Sequence, residues 1–205
     1  MTELHQIASA AAPSLATLVG TDGSASSAHY SALFLPRTAL RDLSDAVHGV
    51  CLLHGHHPGL VEHVVARADP VPDWLTVAAH AFAGERAWLA RLVSAAGPLP
   101  STPGQGETQA ALAGQRHAFD TLARSDRAGC GLGAAVALLL DWEAIHRLLV
   151  VAAARFGIEA QPYAFDHPPI ADSHRRAALF AAQQVLAQHR GLWQLLESRA
   201  AARTR

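Results

Sequence analysis

One stretch limits the fold more than any other: Leu132 to Phe156, LGAAVALLLDWEAIHRLLVVAAARF, an almost wholly apolar run of helical character. Apolar residues fall on nearly every side of a 3.6-residue helix, with Val136, Leu139, Val150 and Ala153 on one stripe and Leu138, Trp142, Ile145, Leu149 and Phe156 on another. A helix apolar on most of its circumference is buried on most of it, and other helices must surround it. The run is long enough to span a bilayer. However, Asp141, Glu143, His146 and Arg147 fall near its centre, where each ionised group costs a few kcal/mol in lipid. It is read as the buried central helix of a soluble protein, without membrane association.

Around this run the chain punctuates itself. Pro36 precedes a helix carrying Leu40, Leu43, Val47, Val50 and His54, which Gly55-His56-His57-Pro58-Gly59 stops. A short helix through Leu60 and Val65 ends before Asp69-Pro70. Proline and an acid at Pro72-Asp73 suit the start of a long helix to Ala96. The Pro/Gly-rich crossover 97–106 separates two halves. A helix from about Glu107 leads to the central one, which Gly157 is placed to cap. After a proline-rich loop, Asp172 or Ser173 is expected to cap a last long helix reaching about Ser198. No segment alternates as a strand does. The expectation is all-α: a single-domain helix bundle, residues 36–200, of four long helices with short accessory ones. Residues 1–35 are expected to be loosely ordered, and 201–205 a frayed tail.

Composition excludes some functions. The net charge is −1 with no basic cluster, which argues against nucleic-acid binding. The two cysteines, Cys51 and Cys130, belong to no metal or disulfide pattern and are read as reduced thiols, pointing to the cytoplasm. No basic leader opens the chain. There is no phosphate-binding glycine loop and no nucleophile elbow.

The candidate chemistry lies where ionisable groups interrupt apolar stripes. Glu143 and His146 do so on the central helix, three residues apart and so close to one face. Glu85 interrupts Leu75, Ala78, Phe82, Leu89 and Leu92, and His189 interrupts Leu179, Ala182, Leu186, Trp193 and Leu196. Asp45 and His48 repeat the acid-x-x-His spacing on a less apolar row, as a solvent-facing pair would. His54, His56 and His57, with His63 nearby, form a polar turn or a surface metal site. Trp74, Trp88, Trp142 and Trp193 are read as core residues that fill volume in an alanine-rich bundle.

Through Glu143-Ala144-Ile145-His146 and the two-plus-two helix layout, the chain resembles the ferritin-like superfamily. The resemblance implies a divalent metal (iron, manganese or zinc) held among inward acids and imidazoles. Here the set is Glu85, Glu143, His146 and His189. It is incomplete: Trp88 stands where a second Glu-x-x-His would put its histidine, and Leu186 where the last helix would carry a glutamate. Two readings follow. The first is a non-enzymatic bundle acting by self-association, as a homo-oligomer, or by partner binding; in it Glu143 pairs with an arginine and His146 with a backbone carbonyl or Glu85. The alternative is a metal-binding protein or metal-dependent enzyme using the incomplete site.

Overall fold

The computed structural model describes residues 14–165 and 175–203. Among them lie eight α-helices and one 3₁₀ turn, with no strand. The helices are α1 (Leu15–Asp22), α2 (Ala28–Ala32), α3 (Leu40–His54), α4 (Leu60–Val65), α5 (Asp73–Ala96), α6 (Gln105–Ala123), α7 (Cys130–Phe156) and α8 (Arg175–Ala202); the turn is Ser24–Ser26.

The apolar run folds as it must. Of the 27 residues of α7, 17 are buried, and the helix touches α1, α3, α4, α5, α6 and α8. Each fully buried side chain of the size of Ile145 or Leu149 contributes about 1.5–3 kcal/mol relative to exposure. The most extensive packing is between α7 and α8. Gly133 makes it possible: a Cβ there would lie 2.3 Å from the Ala178 Cα. Left-handed glycines bracket α7, with Gly129 at φ +82° and Gly157 at φ +70°, where a Cβ would be strained.

Four long helices were expected; five of at least 15 residues form (α3, α5, α6, α7 and α8), and α7 is the hub of the others. Asp73 opens α5 and Ala96 closes it, as the proline and glycine flanks predict. The N-terminal expectation is corrected over residues 15–33, while residues 1–13 lie outside the described residues. Residues 15–33 form α1, the 3₁₀ turn and α2, lying on α7 and α8 with Leu15, Leu18, Tyr30 and Leu33 buried. Their alanine, serine and glycine content conceals four apolar anchors and two serine N-caps, Ser14 on α1 and Ser27 on α2. The C-terminal tail is corrected too. Ala201 and Ala202 continue α8, and the next residue, Arg203, binds Asp42 and Asp45. The proposed cap at Asp172 or Ser173 lies outside the described residues.

Candidate functional site

Two buried carboxylate–imidazole units flank α7. On the α5 side, Glu85 is fully buried and its Oε2 accepts from Trp142 Nε1 (3.0 Å) and from His146 Nδ1 (3.0 Å). The second contact places a proton on His146 Nδ1, since the carboxylate can only accept. The His146 ring lies against Trp88 and Tyr163. Burial pushes the Tyr163 phenol well above its ordinary range, and the charges of Glu143 and Glu85 add to the shift.

On the α8 side, Asp141 takes three donors. Ser24 N–H donates to Oδ1 at 2.7 Å, Ser24 Oγ to Oδ2 at 2.6 Å, and His189 Nδ1 to Oδ2 at 2.5 Å. His189 Nε2 in turn meets His54 Nε2 at 3.0 Å. Burial acts to raise the Asp141 carboxyl, but His189 and the two Ser24 bonds outweigh it and leave it below its ordinary value. Burial also holds His54 well below the ordinary histidine range, with His189 and His56 pushing the same way. His54 stacks on Phe119 and meets Trp142 edge-on, so Trp142 stands between the two units.

Helix geometry explains the division. Asp141 and His146 are five residues apart, about 140° around an α-helix, so one faces α8 and the other α5. Glu143 faces neither. It is exposed, with Arg147 one turn on, along the rim of a cleft of about 270 Å³ between α1 and α7. This corrects its placement on an inward stripe. An acid and an arginine four apart mark a solvated ridge, and that is the signal the reading of Glu143 and His146 as a facing pair passed over. Of the expected set Glu85, Glu143, His146 and His189, the structure brings Glu85 and His146 together, places His189 in the other unit with both ring nitrogens engaged, and leaves Glu143 outside. Among the described residues, no three His, Cys, Asp or Glu side chains converge as a metal-binding group.

Two members of the site were not singled out from the sequence as inward partners. In the sequence Asp141 is one charge inside an apolar run, and His54 both closes the apolar row of α3 and opens the polar turn. Both are buried. Asp45 is corrected from solvent-facing to buried. Arg199 grips it through Nε (3.0 Å) and Nη2 (2.9 Å), and Arg203 joins them. His48 donates through Nε2 to the Gly97 carbonyl. Trp88, Trp142 and Trp193 are core residues, as expected, and Trp74 is half-buried. His56 and His63 lie 3.8 and 3.7 Å from Asp120 Oδ1, beyond hydrogen-bond reach.

Fold and site together define an all-α protein with a central buried helix and a polar constellation in its core. By its sequence the chain belongs to DUF6975, a family of unknown function whose model matches residues 19–204. No curated protein and no solved structure matches it. No helix among the described residues is long and apolar enough to cross a membrane.

Proposed function

We propose that this protein is non-enzymatic and acts by self-association, with a second copy of the chain as its partner. The observation that carries the proposal is an apolar turn on its surface. Phe34 (39% exposed), Leu35 (59%) and Leu40 (49%) are large, close in sequence and open to solvent where α2 gives way to α3. Neighbouring exposed apolar side chains of this size favour an interface, because covering them removes their surface from water. The core constellation supports the non-enzymatic half. Asp141 and His189 spend their hydrogen bonds on Ser24, His54 and each other. A cytoplasmic location belongs to the same proposal.

Light scattering across a concentration series tests it. A dimer is expected for the native chain and a monomer for Leu35→Ser combined with Leu40→Ser; a native chain that stays monomeric throughout overturns self-association.

The alternative, a metal-binding protein or metal-dependent enzyme, draws on the contact between Glu85 and His146. The ferritin-like resemblance stands as a proposal supported by the all-helical build. Stoichiometric iron, manganese or zinc in chelator-free protein, lost in Glu85→Gln, would favour this alternative over the first.

A further inference from the structure

The Asp141 carboxylate belongs to two structures at once. It ends the imidazole chain through His189 and His54, and it is the polar anchor of the N-terminal segment 15–33 through both Ser24 bonds. Gly23 brings the segment directly onto it: a Cβ there would lie 2.5 Å from Asp141 Oδ1. A second deep polar tie of the segment is Tyr30 Oη donating to the Ala144 carbonyl at 2.8 Å.

We infer that the Asp141–His189–His54 chain is an acid-operated latch that holds the N-terminal segment closed on the core.

Two Nε2 atoms 3.0 Å apart share one proton, one nitrogen donating and the other accepting. A second proton sets two N–H groups head to head and makes His189, which already donates through Nδ1, cationic. The space around the pair offers the extra charge no partner besides Asp141. Phe119 from α6 and Trp142 from α7 pack on His54. The titratable groups on surrounding elements are engaged or turned elsewhere. On α3, Asp45 is held by Arg199; Glu62 of α4 is bound to Arg86 of α5, and Glu85 of α5 is taken by Trp142 and His146. His56 of the loop after α3 lies beside Asp120 of α6 and would add positive charge if protonated. That leaves Asp141, already accepting from His189. The opposed N–H groups push the rings apart, and the cationic His189 draws to itself Asp141 Oδ2, the oxygen that also accepts from Ser24 Oγ. Ser24 loses its share of that carboxylate, and the segment is released. The depressed proton affinity of His54 fits a ring that the closed state keeps neutral.

The inference does not rest on self-association. Hydrogen exchange of the full chain at about pH 7.5 and about pH 5, corrected for intrinsic rates, tests it. Amides of residues 15–33 are expected to exchange about tenfold or more faster at the lower pH, while the amides of α5 hold within about twofold. His54→Gln keeps a donor and an acceptor without titrating, and should abolish the pH response. Ser24→Ala should leave the segment fast at both pH values. Nitrogen NMR of the imidazoles in the native chain, which needs no variant to fold, should show a second protonation of the pair coincident with release. Equal exchange at both pH values overturns the latch. So does a rise in step with α5, a native-like response in His54→Gln, or release that does not coincide with imidazole protonation.

Discussion

Gly133 and Gly114 show how differently one residue type acts in two helices. At Gly133 an added methyl meets the Ala178 backbone, at 2.3 Å from Cα and 2.6 Å from the carbonyl oxygen. At Gly114, exposed on α6, it meets nothing within 4 Å. Gly133→Ala should therefore lower stability by about 1–3 kcal/mol, because α8 must move away as a backbone and overpacking outweighs the helix propensity gained. Gly114→Ala should raise stability by about 0.5–1 kcal/mol, from the lower entropy of the unfolded chain. Urea unfolding midpoints distinguish the two, and the signs should be opposite. Asp45 is a buried carboxylate. It is nearly inaccessible and faces two arginine side chains. Asp45→Ala should cost about 3–5 kcal/mol, since it leaves guanidinium charge buried without its partner. Thermal unfolding of the variant measures the loss.

Between elements, the polar contacts act as fasteners. Asp45 of α3 binds Arg199 of α8, Glu85 of α5 binds two residues of α7, and His54 of α3 meets His189 of α8. Each joins helices distant in sequence, and the last makes the assembly sensitive to acid. The ring of His54 is kept neutral in the folded chain at pH values where a free histidine, with a value near 6.5, takes a proton. Below about pH 6.5 the unfolded chain therefore binds more protons, and stability falls as the pH drops, by up to about 1.4 kcal/mol per pH unit from this group. Above that pH the contribution is complete and flat. The depressed carboxyl of Asp141 acts in the same direction: its contribution is complete above the ordinary carboxylate range and is lost as pH falls through its lower folded value. Denaturant unfolding at stepped pH should show the slope for the native chain and a shallower one for His54→Phe.

For the molecule as a whole, one helix organises the rest. Because α7 contacts six other helices, damage at its centre is shared by all of them. Ile145→Ala, at a site with no solvent exposure, should cost about 2–5 kcal/mol without giving separate transitions for the two halves of the chain. A single coincident transition by fluorescence and far-UV circular dichroism checks this. Two transitions would mean that the crossover near residues 97–106 divides the chain into independent folding units.

The central helix, its glycine cap at Gly157, the limits of α5 and the helical class were legible in the sequence, because apolar periodicity and proline or glycine punctuation are local properties. The inward positions of Glu85, His146 and His189 were legible for the same reason, each interrupting an apolar stripe. Pairing was not. Stripes specify a direction around one helix, and only tertiary packing decides what lies opposite. Thus Glu143, three residues from His146, falls on the solvent ridge with Arg147, while Asp141, two residues earlier, faces α8. Asp45 reads as a solvent-facing residue, and His54 as both the end of an apolar row and part of a polar turn, because their partners, Arg199 and His189, lie more than a hundred residues away. The segment 15–33 looked loose because its four apolar anchors make no periodic run and gain their burial from a surface that α7 and α8 build only once folded. The sequence alone determined which segments are helical and which residues are costly to bury; the tertiary structure decided which of those residues satisfy one another, since hydrogen bonds and ion pairs depend on distance in space and not along the chain.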